Sequence, residues 1–423
     1  MAAHVSEPAL GVRSDAGPAK PFPHGFRVQT GTAAHSELGR LSLARRTRWR
    51  RSRESVGAPA VIDQSQLEQA FSQGRARVRE HGELRYTSFI HDHNDIARGT
   101  AIFANRTVYG YPRIGRVVHL GTGLQEQFKG SFWAEEKING YNVRVFKTAG
   151  QVLALTRGGF VCPFTTDRIG DLMDPSVFDR DPDLVICAEI AGPDNPYNES
   201  FPPFVSHDVQ LFVFDLQRID RPGTMEQDEK LALIDRYQLP AVRCFGHFQP
   251  QDLETIKRLM LQLDADGAEG LVFKNAFKSA KYVTAYSTLS DIHSTSEFLT
   301  DMPAEYFTGR ILRLALFLQE QGLTHTRELD RRLGDAFLDG LTQAIEQFQR
   351  EHKVYHTHRC RFRHRDNAEM LLAHLEQAGS HRVQINRRDL RREGEYWVLE
   401  FDRAYASING LLGHLLSGGL VFD

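Results

Sequence analysis

The chain has 423 residues, with ordinary apolar and charged fractions and a formal net charge of −2, a length sufficient for roughly two to four domains. Near-neutrality excludes a global field that would draw the whole molecule to nucleic acid, so a phosphate-binding surface must be local. No apolar run approaches the roughly 18 residues of a membrane-spanning helix, so no membrane partner is expected. Cys162, Cys187, Cys244 and Cys360 form no C-x-x-C pair, which points away from a zinc ribbon and toward a reducing, cytoplasmic setting.

Residues 1–58 are rich in Ala, Gly, Pro, Ser and His and end in the basic run Ala44-Arg45-Arg46-Thr47-Arg48-Trp49-Arg50-Arg51-Ser52-Arg53. They lack a secretory apolar core. A disordered basic extension without a catalytic role is expected; an electrostatic RNA-binding arm and an organellar transit peptide are the functional alternatives. Leu67, Ala70, Phe71, Gly74 and Val78 recur at helical spacing and predict a helix over 64–80. Strands are expected near 84–90, 100–104 and 107–109, making 59–120 an accessory layer. Residues 121–285 read as the catalytic domain, with a helix over 252–263 and the turn Asp264-Ala265-Asp266-Gly267 before Glu269.

Beyond 285 the pattern changes. Phe307, Ile311, Leu314 and Leu318 predict one helix, and Leu329 through Phe348 a longer one, so 286–352 reads as a helical hairpin. Residues 353–423 read as a small α+β domain: strand 354–364, helix 367–378 with Asp366 and Glu369 as a capping pair, strands 382–386 and 396–402, and a helix over 406–417. In the first of those strands, alternation puts Arg359, Arg361, Arg363 and Arg365 on one face and His356, His358, Cys360 and His364 on the other. The arginine row is a candidate phosphate contact, and a charged edge strand that resists aggregation is its alternative.

The chemistry centres on Glu135-Glu136-Lys137-Ile138-Asn139-Gly140-Tyr141-Asn142-Val143-Arg144. Apolar runs on both sides read as strands and Asn139-Gly140 as a turn, which puts Lys137 at a strand end. A lysine there becomes a nucleophile when burial or nearby cations favour its free amine. Further short apolar segments follow, each with one or two candidate residues at its end or on one face: Leu153–Phe160 with Arg157, Val185–Gly192 with Glu189, Leu211–Leu216 with the aromatics Phe212 and Phe214, Ala268–Lys274 with Glu269, and Phe277–Val283 with Lys278 and Lys281. An antiparallel sheet carries a cleft site in this way, with its apolar side to the core. Phe212 and Phe214 read equally as core, and Lys278 and Lys281 as a solvated pair. Glu189 sits in an apolar strand, where an unpaired carboxylate is costly.

In order and character these segments resemble the six motifs of the covalent nucleotidyltransferases, the polynucleotide ligases and capping enzymes. The lead-in Val108-Tyr109-Gly110-Tyr111-Pro112-Arg113-Ile114, the E-E-K-x-N-G-Y-N-V-R core, T-R-G-G-F-x-C-P-F and E-I-A-G-P-x-N-P-Y-N look like the archaeal-type ATP-dependent RNA ligases, the third RNA ligase family. The resemblance runs from about residue 85 to the C-terminus. It implies an α+β fold with an ATP-grasp-like catalytic domain of antiparallel sheets, an N-terminal layer, a helical hairpin used for dimerisation and an α+β C-terminal domain.

Carried over, the resemblance makes Lys137 the adenylylated residue. Glu269 serves the metal or nucleotide, and Lys281 the α-phosphate. Asn139, Gly140, Arg144, Arg157, Glu189, Lys278 and an aromatic at 212 or 214 bind the nucleotide. The implied cofactors are ATP and magnesium, with manganese as substitute, and the partner is RNA with 5′-phosphate and 3′-hydroxyl ends. Two departures stand out: Asn139 replaces the common Asp, and Lys278 and Lys281 are separated by Ser279-Ala280 rather than by one residue, with Lys274 upstream. The alternatives are a DNA ligase or GTP-using capping enzyme, and a non-catalytic RNA-binding protein that keeps a nucleotide pocket.

Overall fold

The computed structural model describes residues 62–104, 106–323, 326–378 and 383–421. The basic extension 1–58 lies outside them. Helix α1 (Gln64–Ser72) begins in a capping box: the Asp63 carboxylate accepts the Gln66 N–H at 2.7 Å, and the Gln66 side chain accepts the Asp63 N–H at 3.2 Å. It does not run to residue 80. Gly74, at φ +63°, ends it, and Ala76–His81 is strand β1, paired with β2 (Leu84–Phe89). Val78, counted as helical core from its spacing, is 44% exposed on β1. Strands β3 (Ala101–Phe103) and β4 (Arg106–Val108) complete an antiparallel sheet of order β1-β2-β3-β4.

Two sheets build the centre. Their elements are β5 (Gly115–Arg116), α2 (Leu120–Gln127), β6 (Phe132–Lys137), β7 (Tyr141–Thr148), β8 (Gln151–Thr156), α3 (Pro163–Leu172), α4 (Val177–Arg180), β9 (Leu184–Ala191), β10 (Gln210–Arg218), α5 (Gln227–Tyr237), β11 (Cys244–Phe248), α6 (Leu253–Ala265), β12 (Gly270–Lys274) and β13 (Ser279–Val283). One sheet has the order β10-β9-β7-β8, the other β11-β6-β12-β13-β5. All pairs are antiparallel except β13 with β5. Alternation sorts the faces. Phe132, Ala134, Leu271, Phe273, Ala280 and Tyr282 are buried against α2, α6 and the following helices. Their neighbours Glu135, Lys137, Val272 and Lys281 point the other way, into a cleft.

The helical region starts earlier than its apolar spacing shows. Helix α7 (Ala285–Ser296) is a Ser/Thr-rich element capped by Thr284, whose side chain accepts the Ser287 N–H at 3.1 Å. Helices α8 (Ala304–Glu320) and α9 (Arg327–Glu351) follow. They meet at Phe307 and Phe337, with centroids 5.5 Å apart. The small face of α9, Ala336, Gly340 and Ala344, is buried. At Gly340 an added Cβ would come within 2.0 Å of Ser296 Oγ, so α9 packs on α7 where the pattern alone showed a two-helix hairpin.

The C-terminal part contains β14 (Tyr355–Phe362), α10 (Arg365–Ala378), β15 (Val383–Glu393), β16 (Tyr396–Tyr405) and α11 (Ala406–Leu416), with sheet order β14-β16-β15. Helix α10 begins at Arg365, so Asp366 lies in its first turn and does not cap it. Glu369 pairs instead with Arg387 and Arg365. Cys360, Phe362, Leu371, Leu399 and Phe401 share one core with Phe164, Val177 and Ile186.

Candidate active site

Strand register sets the centre. Lys137, the last residue of β6, pairs with Gly270, the first residue of β12, and Val272 pairs with Lys281 on β13. Glu269 immediately precedes that register. Lys137 Nζ donates to Glu269 Oε2 at 2.7 Å. A Cβ on Gly270, at φ +148°, would lie 2.2 Å from Tyr282 O, so only glycine fits where the two strands close. Gly140 is equally confined, 2.3 Å from Ile190 O for an added Cβ. The Asn139-Gly140 turn thereby carries the chain from β6 into the neighbouring sheet.

That sheet brings up the opposite wall. Asn142, Glu189 and Phe212 are cross-strand partners on β7, β9 and β10. Between the sheets lies a cavity of about 590 Å³ whose lining includes Lys137, Glu189, Arg157, Lys281 and Phe214. Burial pushes the Glu189 carboxyl up to about 7, against the opposing field of Lys137 and with that of Glu269. Burial, with the neighbouring charges of Lys137 and Arg116, brings the Lys281 ammonium down to about 8. Neither Lys281 nor Arg157 has a side-chain hydrogen bond or ion pair among the described residues. The cavity therefore presents unneutralised cations beside the ion-paired Lys137.

The remaining residues divide. Phe214 falls in the register shift between Val213 and Asp215. Its ring lines the cavity, with Tyr111 edge-on at 5.2 Å and Lys274 Nζ 5.5 Å from its centroid. Phe212 does not line the cavity; it packs against Phe204 at 5.9 Å. Asn139 turns aside, and its Nδ2 donates to Ser200 Oγ at 3.0 Å. Lys278 is exposed in the β12–β13 turn, away from the cavity. The lysines that face inward are Lys274 and Lys281.

Arg144 does not reach the cavity either. It is fully buried, and its guanidinium donates to Tyr109 O at 2.6 Å, Gly99 O at 2.8 Å and Thr156 O at 3.0 Å. Carbonyls occupy it, so the nucleotide-binding role expected of it is replaced by a bracing one.

Sequence reasoning missed a buried network beneath Phe214. Lys274 Nζ lies 2.8 Å from Glu135 and 3.4 Å from Asp215, Lys230 also pairs with Glu135, and Tyr111 OH donates to Asp215 at 2.9 Å. Burial raises the Glu135 carboxyl, but Lys274 and Lys230 outweigh it and hold the group at about 2. The available signal was Glu135 itself, two residues before Lys137 and so on the same strand face. A second unforeseen wall is the stack of Phe160 on His374 from α10, with centroids 3.5 Å apart.

The arginine row of β14 is committed elsewhere. Arg359 and Arg361 pair with Asp194, at 3.4 and 3.1 Å, and Arg363 pairs with Asp171 and Glu395. These carboxylates belong to the neighbouring domain and the β15–β16 turn, so the row is a set of docking contacts and not a free phosphate track.

Residues 130–283 match a family model described as RNA ligase, and residues 294–419 match one described as the ligase Pab1020 C-terminal region. The uncharacterized protein MJ0414 of Methanocaldococcus jannaschii is 28% identical over 291 residues, which is 66% of this chain and 74% of that protein. An archaeal ATP-dependent RNA ligase has been solved in two forms. Form 1 is 30% identical, with a TM-score of 0.76 over 84% of this chain and 96% of its own; form 2 is 31% identical with a TM-score of 0.77. An Aquifex aeolicus protein, named provisionally as an ATP-dependent DNA ligase, is 48% identical with a TM-score of 0.82 over 85% of this chain and 100% of its own. Identity at this level across nearly the whole length of those proteins, with both ligase models matched in order, establishes that the chain belongs to the archaeal-type ATP-dependent RNA ligase family.

Proposed function

We propose that this ligase seals RNA 5′-phosphate and 3′-hydroxyl ends through an adenylylated Lys137. The observation that carries the reading is the Lys137–Glu269 pair at 2.7 Å at the edge of a cavity in which Lys281 and Arg157 have no side-chain partner among the described residues. Lys137 Nζ attacks the α-phosphorus of ATP. An N–P bond forms, the bond to the β-phosphate oxygen breaks, and pyrophosphate leaves. Glu269 is within reach of the proton that the ammonium must lose. Lys281 and Arg157 take up charge on the phosphate oxygens, Glu189 accepts from the ribose, and Phe214 supplies a face for the adenine. An oxygen of the RNA 5′-phosphate then displaces Lys137 from the AMP phosphorus. The RNA 3′-hydroxyl finally attacks the activated 5′-phosphate and expels AMP.

The donor set fits a hard divalent cation held largely by substrate. No group of three or more His, Cys, Asp or Glu stands together among the described residues, whereas Glu189 lines the cavity and Glu269 stands beside it, paired with Lys137. Magnesium takes a few carboxylates plus phosphate oxygens, and bound there it would neutralise the triphosphate. Manganese would substitute. Exposed Leu312 and Leu338 on α8 and α9 support the homodimer implied for this region, and three buried free cysteines suit a reducing cytoplasm.

The test mixes protein, magnesium and α-labelled ATP or GTP and follows label on the denatured chain. ATP label that is absent from Lys137→Ala supports the reading. GTP label would point to capping chemistry, and no label to a binding protein. The Aquifex relative's name gives DNA sealing as the second reading; nicked duplexes with RNA or DNA at the nick separate the two.

A further inference from the structure

The N-terminal layer reaches the cavity through Arg98, in the loop between β2 and β3. Its Nη2 stands 3.7 Å from the point where a Cβ on Gly158 would sit, next to Arg157. Both arginines line the cavity, and neither makes a side-chain hydrogen bond or ion pair among the described residues.

The loop is held there by construction. Buried Arg144 bridges its Gly99 carbonyl to the Thr156 carbonyl of the Arg157 turn. Gly99, at φ +89°, is pressed so closely that an added Cβ would lie 2.2 Å from Arg157 O; Gly159, at φ +73°, would reach Gly99 O at 3.0 Å. Asp92 Oδ1 accepts the Arg98 N–H at 2.8 Å. A brace, two glycines and an aspartate therefore fix where Arg98 begins.

Two guanidinium groups that line one cavity without an ion-pair partner repel each other, and arginine does not shed its proton to relieve this. An anion between them does. Phosphate is the anion whose oxygens match the guanidinium fork, and the cavity already holds Lys137 and Lys281.

We propose that Arg98 is a second phosphate-binding arginine of the reaction, acting with Arg157 on phosphate oxygens of the bound substrate. The inference rests on the ligase reading. The phosphate comes from one of two sources, the β/γ end of ATP or the RNA 5′-phosphate.

The experiment uses the full chain as Arg98→Ala, Arg98→Lys and, as control, Arg85→Ala, an exposed β2 arginine without a partner among the described residues. Labelling by α-labelled ATP is measured across ATP concentrations, and transfer of AMP from pre-labelled enzyme to 5′-phosphorylated RNA is measured separately. A charge-assisted contact corresponds to about tenfold or more. If ATP is the source, Arg98→Ala needs about tenfold more ATP for half-maximal labelling, recovers at saturation, and transfers normally. If RNA is the source, labelling is normal and transfer slows about tenfold. Arg98→Lys falls between, because it keeps the charge and loses the fork. Unchanged labelling and transfer in Arg98→Ala would overturn the proposal. So would equal losses in both steps with a lowered melting temperature, the mark of a structural role. A wild-type chain that takes no label would instead bring down the ligase reading and this inference together.

Discussion

Lys137 stands at the end of a strand and is half-buried, so Lys137→Ala should leave the melting temperature nearly unchanged while abolishing label from ATP. Lys137→Arg should be equally inactive, because guanidinium does not release the proton that attack on phosphorus requires; any label on either variant would remove Lys137 from the chemistry. Glu189 supplies a pH test. Burial sets its folded pKa near 7, above the ordinary 4.5. A carboxyl raised in this way favours the folded protein below the unfolded value, and that stability is lost as pH rises through about 7. Glu189→Gln should therefore flatten the fall of melting temperature between about pH 4.5 and 7; parallel curves for the two proteins would show that the carboxyl is not held neutral. Lys137 was legible because it ends an apolar run, and Glu189 because a carboxylate stands inside an apolar strand, where it is costly unless used. Arg144 was misread because its position in the motif carries no trace of the three carbonyls it meets.

At the scale of elements, period-two alternation displayed β6, β7, β9, β12 and β13, and with them the cleft face. It did not show which lysine of the last hairpin turns inward. Lys278 and Lys281 look alike along the chain, but the β12–β13 register pairs Lys281 with Val272 and leaves Lys278 in the turn. Lys278→Ala should accordingly label normally, whereas Lys281→Ala should lose at least tenfold in labelling rate, about the value of one charge-assisted contact. The helix expected over 64–80 failed for a related reason: Leu67, Ala70 and Phe71 are helical, but Gly74 at positive φ resets the period, and Val78 belongs to a strand. Arg144 ties these pieces together, bridging the N-terminal layer to the end of β8. Arg144→Met should lower stability by roughly 3 kcal/mol, since three carbonyls lose a buried charged donor, and denaturant melts would register it. A loss below about 1 kcal/mol would mean that water replaces the guanidinium.

At the scale of the whole molecule, the question is what the β14 arginines hold. Alternation put Arg359, Arg361, Arg363 and Arg365 on one strand face; Arg359 and Arg361 do share a face of β14, an edge strand of its sheet, but Arg363 lies just past its end and Arg365 begins α10. It could not display the carboxylates opposite, since Asp171 and Asp194 lie far away in sequence, on α3 and in the loop after β9. Those pairs join the C-terminal sheet to the central domain. Arg168 strengthens the joint, donating to Asp208 at 2.8 Å and to Arg361 O at 3.1 Å. Changing the three arginines together to Ala leaves Asp194 buried without its cations. Removing Arg359 and Arg361 from that carboxylate should cost on the order of 2 kcal/mol, partly exposed pairs contributing up to about 1 kcal/mol each. Labelling of Lys137 below the melting transition should persist, because none of the three lines the cavity. The salt dependence of RNA binding decides between the two roles. For a single strand, each phosphate that a removed arginine had neutralised would lower the log–log slope by roughly 0.7. A phosphate track therefore predicts a flatter slope and an unchanged melt, whereas a docking face predicts the same slope and a lower melt. The carboxylates already bound to all three side chains favour the second outcome.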